Sequence, residues 1–363
     1  MLEYDELLKL MKTENWEQLL EEKGISVVWD DKYLILSYKF LSCDFNDPVI
    51  RACRGVILKK ENNLFRIVCA PFVKFSYGRE EWEKPIDWNS AKVRDKIDGC
   101  LMKAWFDGGW HLSTNNVIDA FKAHLGDERA ASSFGELFEL TINEKFETWA
   151  ERLLDRNFTY MFELASPYNR VVILYKESKV WYLSRRNMIT LKEDDSDIDG
   201  LERPKLYNLT NINDTLKVVK SMIDEEGVVV YDRDFNRIKV KSDSYLVNHG
   251  LAHNNIITFN VVIDMIMNKS IDDYLAYFGD ATGYITNILK TLKLAIDKLE
   301  NTWYNLIKSE ADKLSPKEFA LKVRDIKAND YLFYKFNGGE LNAYDYVMSR
   351  SKSYIKKFIL EEF

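Results

Sequence analysis

The feature that most constrains the fold is a change in hydrophobic pattern near residue 245. Up to that point the sequence contains short runs rich in β-branched and aromatic residues, separated by turn signals such as Asp107-Gly108-Gly109. Such runs predict β-strands. After Tyr245 the apolar residues recur at helical spacing, as in Tyr284–Ser309. We therefore predict an α+β domain of antiparallel sheets over residues 1–245, followed by an all-helical domain over residues 246–363.

The predicted elements follow from the period of each run, and Lys103–Phe106 and Trp110–Ser113 are predicted to form a hairpin. The predicted strands are Ser26–Trp29, Tyr33–Tyr38, Gly55–Leu58, Phe65–Cys69, Cys100–Phe106, Phe158–Leu164, Val171–Tyr175, Val180–Ser184, Gly227–Tyr231 and Arg237–Lys241. The predicted helices are 2–22, 116–155, Asp214–Asp224, Asp272–Phe278, Tyr284–Ser309, Pro316–Ile326 and Tyr344–Leu360.

Composition limits the class of protein. The net charge of -7 argues against a broad basic face for nucleic acid, although a local basic cleft remains compatible with it. The acidic amphipathic N-terminus lacks the basic start and the apolar run typical of a signal peptide, and no apolar run approaches the length of a membrane span. We expect a soluble, monomeric protein of the cytoplasm with no membrane partner.

Lys96-Ile97-Asp98-Gly99 comes just before a predicted strand. Alone this pattern is weak, since a surface turn explains it as well. The functional interpretation is a lysine that bonds covalently to phosphorus. A lysine amine is inert at neutral pH unless burial or neighbouring cations favour its neutral form. The hypothesis therefore requires more positive charge around Lys96, with carboxylates to organise it.

Two carboxylates occur in apolar surroundings. Glu163 lies within the run Tyr160–Ala165, where a charge is unfavourable unless it is paired. It is either the partner of an arginine or a ligand for a sugar hydroxyl or a metal. Glu226 stands at the start of the apolar strand Gly227–Tyr231.

Four cations accompany these carboxylates. Lys239 and Lys241 alternate along a predicted strand and so share one face, as a phosphate-binding floor or as a solvated edge strand. Upstream, Arg54 and Lys74 each stand beside an apolar strand. Together the four could bind a triphosphate.

The order of these motifs is informative. Lys96-x-Asp98-Gly99, Phe162-Glu163, Glu226-Gly227 and Lys239-x-Lys241 resemble the set shared by covalent nucleotidyltransferases, which include DNA ligases, RNA ligases and mRNA capping enzymes. Arg54-Gly55, Lys74-Phe75, the run from Ser166 to Val172 and the run from Lys239 to Tyr245 resemble the RNA ligase 1 family of T4-like phages. Helices after the last motif, instead of a β-barrel, also resemble that family. Two positions differ from the family pattern: Ile97 stands where one enzyme of the family has Glu, and Asn115 stands where the family often has a basic residue.

The resemblance implies a ligase-type nucleotidyltransferase fold and an ATP-dependent RNA ligase active in RNA repair. Lys96 would form a lysyl-AMP, the AMP would pass to an RNA 5′-phosphate, and an RNA 3′-hydroxyl would displace it. Lys239 and Lys241 would stabilise the α-phosphate, and Glu226 would act near the metal and the Lys96 amine. These four residues are the implied catalytic set.

The same resemblance implies the ATP contacts. Arg54 and Lys74 would hold the β- and γ-phosphates, and Glu163 would bind the ribose. Asp98 would support the site, and Tyr38 would either line the nucleotide pocket or pack in the ordinary way. The implied ATP contacts are therefore Tyr38, Arg54, Lys74, Lys96, Asp98, Glu163, Glu226, Lys239 and Lys241.

Magnesium or manganese is expected as well, because leaving pyrophosphate needs charge neutralisation. The implied metal contacts are Glu226 and Asp272, although Asp272 could also be a helix N-terminal acid. The implied partners are RNA with 5′-phosphate and 3′-hydroxyl ends, such as a nicked tRNA, and a separate kinase or phosphatase that heals the ends. A phage or viral origin, with action in the host cytoplasm, would fit.

Two other functions use the same features. A capping-type guanylyltransferase would also use Lys96 but would prefer GTP. A non-catalytic protein that binds RNA ends could keep the fold without the chemistry. The complete set of Lys96, both carboxylates and both strand lysines argues against the second of these.

Overall fold

The computed structural model describes residues 2–38, 43–62, 64–77, 83–242, 245, 259–267, 271, 275, 283–307, 314–326 and 328–360. The chain divides into two units, Met1–Ala252 and His253–Phe363. The first contains three antiparallel sheets and the second is helical where it is described, so the predicted α+β class is confirmed.

The first unit is built from strands numbered here in chain order. They are Ile25–Asp30 (β1), Tyr33–Tyr38 (β2), Arg54–Glu61 (β3), Leu64–Cys69 (β4), Lys92–Asp95 (β5), Cys100–Phe106 (β6), Trp110–Thr114 (β7), Phe158–Ala165 (β8), Lys179–Asn187 (β9), Glu193–Asp194 (β10), Leu206–Tyr207 (β11), Gly227–Tyr231 (β12) and Arg237–Lys241 (β13). The sheet orders are β1-β2-β3-β4, β10-β9-β8-β6-β7 and β11-β5-β12-β13.

Turn chemistry explains two of the tight hairpins. Asp31, at φ 55°, allows the two-residue turn between β1 and β2. Gly108, at φ 76°, allows the three-residue turn between β6 and β7. The second hairpin was predicted and is confirmed.

The helices of the first unit cover the outer faces of the sheets. An aromatic core joins β6, β7, β8 and β9 to two helices, with Phe138, Trp149 and Phe162 at its centre. On the opposite face of the same sheet, Trp105 packs with Ile57 and Cys69 of the first sheet. The helices are Leu2–Leu10, Trp16–Glu22, Pro48–Ala52, Phe134–Ile142, Phe146–Leu153 and Ile212–Lys220.

Partly buried hydrogen bonds join helices of the second unit. Glu300 accepts hydrogen bonds from the Tyr331 hydroxyl at 2.7 Å and from the Ala343 backbone N–H at 2.6 Å. None of the described helices combines the length and apolar character needed to cross a membrane. The helices are Phe259–Met267, Tyr284–Thr302, Pro316–Val323, Asn329–Phe336, Ala343–Met348 and Lys352–Leu360.

Several predicted elements were wrong. The segment Val171–Tyr175 is not a strand, because the backbone N–H groups of Val172 and Ile173 donate hydrogen bonds to the Asp98 side chain and not to a neighbouring strand. The long helix over 116–155 is instead an irregular segment and two helices, the first of which ends at Asn143 with φ 56°. Strand β5 was missed because its four residues, Lys-Val-Arg-Asp, carry almost no apolar signal.

Other predicted helices have different limits. The first, over 2–22, is two helices, and the Thr13 hydroxyl donates to the Leu10 carbonyl at 2.8 Å where the first of them ends. The last, Tyr344–Leu360, is also two helices. The predicted helix Asp272–Phe278 lies outside the described residues except for Leu275.

Candidate active site

Lys96 lies one residue past the end of β5, beside the first residue of β12. Its backbone N–H donates to the Gly227 carbonyl at 2.9 Å, which extends the pairing of the two strands. Its Nζ atom donates to Glu226 Oε2 at 2.7 Å, and the side chain is 23% exposed. Lys96 is therefore held at a fixed place while its amine stays accessible.

Glu226 joins two lysines. Its Oε1 atom lies 2.9 Å from Lys241 Nζ, and its Oε2 atom holds Lys96. Burial alone would raise the pKa of Glu226, but Lys241 and Lys96 outweigh burial and hold it below its ordinary value. Glu226 is therefore an ionised carboxylate between two cations.

Strand register creates this arrangement. Gly227 pairs with Lys241 across β12 and β13, so the residue before Gly227 meets the Lys241 side chain. Ile238 and Val240 are buried in the core of this sheet, which leaves Lys239 and Lys241 on the other face, as predicted. The absence of a side chain at Gly227 is essential, since a Cβ there would overlap the Val240 carbonyl oxygen.

Glu163 lies on β8, next to Leu101 of β6. Burial raises the pKa of Glu163 to about 8; Glu226 and Asp98 add to the rise, while Lys96 and Arg54 oppose it. A Cβ at Gly99 would lie 3.2 Å from Glu163 Cγ, so Glu163 adjoins the turn after Lys96. A carboxyl group that keeps its proton near neutral pH can donate a hydrogen bond as well as accept one.

Asp98 contacts the protein through both of its oxygens. Its Oδ2 atom accepts from the backbone N–H groups of Val172 at 2.8 Å and Ile173 at 2.7 Å. Its Oδ1 atom accepts from the Tyr245 hydroxyl at 2.9 Å, and the Tyr175 hydroxyl accepts from the Asp98 backbone N–H at 3.2 Å. Asp98 is only 4% exposed. In this structure it anchors the segment after β8 and Tyr245 to the lysine motif, which is a supporting role.

Arg54 begins β3, and its guanidinium carbon lies 5.3 Å from the centre of the Phe75 ring. Its Nη1 atom is buried and has no hydrogen-bond partner among the described residues. A buried donor of this kind is unfavourable unless a ligand satisfies it. An oxygen-rich anion such as a phosphate fits this position.

Lys74 lies in an aromatic enclosure. Its Nζ atom is 4.1 Å from the Phe45 ring centre and 5.8 Å from those of both Tyr38 and Tyr77. The Nζ atom of Lys239 lies 4.1 Å from the centre of the same Tyr77 ring. Tyr38 thus packs beside a predicted phosphate ligand, and Tyr77 connects Lys74 with Lys239.

The metal contacts receive less support. Asp272 lies outside the described residues. Among the residues that are described, no group of three His, Cys, Asp or Glu side chains is placed to hold a metal ion. Both oxygens of Glu226 already contact lysines.

Two residues near the motif were not predicted. Lys103 is fully buried on β6, and a lysine within the apolar run Cys100–Phe106 was a readable signal for it. Tyr175 offered no signal, because its contact with Asp98 depends on the irregular course of the chain after β8.

Antiparallel sheets that place an accessible lysine beside a carboxylate and a second lysine are what we expect of a ligase-type nucleotidyltransferase. The family model described as RNA ligase, of the T4 RNA ligase 1 type, matches residues 52–245, more than half of the chain. The chain belongs to this family of RNA ligases, which confirms both the resemblance and the predicted enzyme class.

Individual relatives agree with this family. A bifunctional polynucleotide kinase/RNA ligase of Autographa californica nuclear polyhedrosis virus is 30% identical over 268 residues, covering 68% of this chain. The chain spans only 37% of that relative's length. The RNA ligase of Rhodothermus phage RM378 is 22% identical over 374 residues, covering 83% of this chain and 84% of the relative.

A solved structure is also similar. An archaeal ATP-dependent RNA ligase (form 2) has 12% identity and a TM-score of 0.43, covering 93% of this chain and 99% of that one. At that TM-score, the similarity carries no conclusion about function.

Proposed function

We propose that this protein uses ATP to join RNA 5′-phosphate and 3′-hydroxyl ends, through an AMP bound covalently to Lys96. The observation that carries this proposal is the contact of Glu226 with both Lys96 and Lys241, at 2.7 and 2.9 Å, in a chain of the RNA ligase family. Attack on a phosphate requires a positioned amine, a group that takes its proton and nearby positive charge, and Lys96, Glu226 and Lys241 would supply these three.

The first step is an exchange at the α-phosphorus of ATP. Lys96 Nζ loses a proton and forms a nitrogen–phosphorus bond, while the bond from that phosphorus to the leaving pyrophosphate breaks. Glu226 Oε2 hydrogen-bonds to this amine and is placed to take the proton. Lys241 and Lys239 would stabilise the charge on the phosphate oxygens.

Two further exchanges complete the reaction. An oxygen of the RNA 5′-phosphate attacks the AMP phosphorus, the nitrogen–phosphorus bond breaks, and the Lys96 amine regains a proton. The RNA 3′-hydroxyl then loses its proton and attacks the 5′-phosphorus, and AMP leaves. Each step forms one bond to phosphorus and breaks another. Lys239 and Lys241 would therefore stabilise negative charge on the phosphate oxygens in all three steps.

The remaining site residues would bind ATP. The unpartnered Arg54 Nη1 atom would donate to a phosphate oxygen, with Lys74 beside it. Glu163, with its raised pKa, would hydrogen-bond to the ribose hydroxyls. Asp98 would act indirectly, by holding Tyr245 and the segment after β8 in place.

A divalent cation, Mg²⁺ or Mn²⁺, would neutralise charge on the leaving pyrophosphate. Among the described residues, Glu226 is the side chain we propose to hold it, and the predicted Asp272 lies outside the described residues. We further propose that the substrate is broken RNA in the cytoplasm, such as a nicked tRNA. A separate kinase or phosphatase would prepare the RNA ends.

The first test is covalent labelling. Wild type incubated with radioactive ATP should carry the label through denaturing electrophoresis, and Lys96→Ala should not. Lys92→Ala is the matched control, because Lys92 lies on the same strand but pairs with Asp195 at the surface. Label from GTP and not from ATP would instead indicate a capping-type guanylyltransferase.

The second test is sealing. A 5′-phosphorylated RNA should become circular with wild type, ATP and magnesium, and should stay linear with Lys96→Ala. Circular product from Lys96→Ala would refute the covalent mechanism. Wild type that binds RNA ends but takes up no AMP would indicate a non-catalytic binding protein.

A further inference from the structure

Lys103 is a buried cation that the proposed reaction does not use. It lies on β6 between Leu101 and Trp105, on the face of the sheet that also carries Glu163. Its side chain is 0% exposed. Burial, together with the charge of Arg54, lowers the pKa of Lys103 to about 8, although the Cys69 and Cys100 thiols oppose this effect.

The partners of Lys103 leave its charge without compensation. Its Nζ atom donates to the Gly55 carbonyl oxygen. No carboxylate among the described residues forms an ion pair with it. A buried ammonium without an acidic partner is strongly unfavourable, and such groups concentrate at functional sites.

Gly55 is the point where this cation meets the nucleotide site. It has φ 81°, and a Cβ there would lie 2.5 Å from the Asn115 carbonyl oxygen and 3.0 Å from Lys103 Nζ. The Asn115 Oδ1 atom is 2.7 Å from the same position and has no hydrogen-bond partner among the described residues. Lys103 and Asn115 therefore both contact the residue that follows Arg54.

Arg54 completes the cluster. Its Nη1 atom is buried with no hydrogen-bond partner in the described part of the chain, and its charge lowers the pKa of Lys103, so the two cations are close enough to interact. A bound triphosphate would bring the missing negative charge. Folding therefore retains a concentration of positive charge that a bound polyanion would relieve.

We propose that Lys103 is a positioning residue for the nucleotide phosphates: it fixes Gly55, and through it Arg54, and it adds positive charge beneath the phosphate site. This inference rests on the proposed ATP site. Because Lys103 is fully buried, it acts through Arg54 and through its field, and it does not touch the phosphates. A purely structural role, as the donor to one carbonyl, is the alternative.

Lys103→Met separates the two roles, since it removes the charge and keeps an unbranched side chain of similar length. We expect the KM for ATP in lysyl-AMP formation to rise about tenfold, because the substitution frees Gly55 and Arg54 and removes one buried positive charge from the site. Sealing of RNA that already carries AMP on its 5′ end needs no ATP, and its rate should stay within about twofold of wild type. Lys59→Met, on the far end of β3, is the control and should leave both unchanged.

Asn115→Asp is a second variant that preserves shape. It places a carboxylate beside Lys103 Nζ and should also raise the KM for ATP. Thermal unfolding of each variant shows whether it is folded. An unchanged KM for ATP in folded Lys103→Met or in Asn115→Asp would overturn the inference, as would an equal loss in both reactions. If wild type itself takes up no AMP, the proposed function fails first, and the two failures are thereby distinguished.

Discussion

The Nζ atom of Lys96 and the Oε2 atom of Glu226 lie 2.7 Å apart. The contact links a residue just past β5 to one just before β12, and Lys241 of β13 contacts the other oxygen of Glu226. The proposed nucleophile, Lys96, is thus held in place by a carboxylate that a second lysine keeps ionised.

Removing the charge of Glu226 should leave Lys96 poorly positioned and slow its reaction with ATP. In Glu226→Gln, Lys96 and Lys241 repel each other without a counter-ion, and the rate of lysyl-AMP formation should fall by about 100-fold or more. The measurement is single-turnover uptake of labelled AMP. Glu225→Gln is the control, because Glu225 is the exposed neighbour. Equal rates for Glu226→Gln and wild type would contradict the assigned role.

Alanine substitutions at two glycines with positive φ distinguish the cost of backbone strain from the cost of a steric clash. In Gly108→Ala the added Cβ meets nothing within 4 Å, so only the strain of a positive φ is added, about 1–2 kcal/mol. In Gly227→Ala the Cβ meets the Val240 carbonyl oxygen, so the loss should be about 3 kcal/mol or more. Urea unfolding of both variants measures the difference. Similar losses would show that β13 can move away.

Asp98→Asn should lower stability and release the segment after β8. The substitution replaces an acceptor of two backbone N–H groups and one hydroxyl with an amide that has one acceptor oxygen. The expected loss is about 2 kcal/mol. Limited proteolysis should cut between residues 166 and 178 faster than in wild type. Asp199→Asn, at an exposed position, is the control and should match wild type.

The raised pKa of Glu163 should make the stability of the protein depend on pH. Its pKa of about 8 in the folded state lies above its ordinary value of 4.5. Between these values the folded state keeps a proton that the unfolded state has released, so this group lowers stability as pH rises through the window. Glu163→Gln cannot titrate, and its free energy of unfolding relative to wild type should therefore increase from about pH 5 to about pH 8.

Urea unfolding at several pH values gives that comparison directly. Glu177→Gln, which removes an exposed carboxylate, should show no such trend. A difference between Glu163→Gln and wild type that stays constant with pH would mean that Glu163 is ionised throughout.

Much of the fold could be predicted where a local pattern decides it. The β6–β7 hairpin followed from a Gly-rich turn between apolar runs, and the shared face of Lys239 and Lys241 followed from strand alternation. The strand predicted at Val171–Tyr175 was wrong. Its apolar sequence has strand character, but two of its backbone N–H groups donate hydrogen bonds to the Asp98 carboxylate and not to a neighbouring strand. Strand β5 could not be predicted from the sequence, because its pairing with β12, and not its composition, makes it a strand.

The sequence by itself determined the kinds of groups in the site and their order along the chain, because residue type and local periodicity are properties of short segments. Only the tertiary structure decided which groups meet. Sheet register brings Lys96, Glu226 and Lys241 together. Asp98 accepts hydrogen bonds from the protein, and the buried Lys103 donates to the carbonyl of Gly55, the residue after Arg54. The physical reason is that hydrogen bonds and burial depend on partners far apart in sequence, which only the folded chain brings into contact.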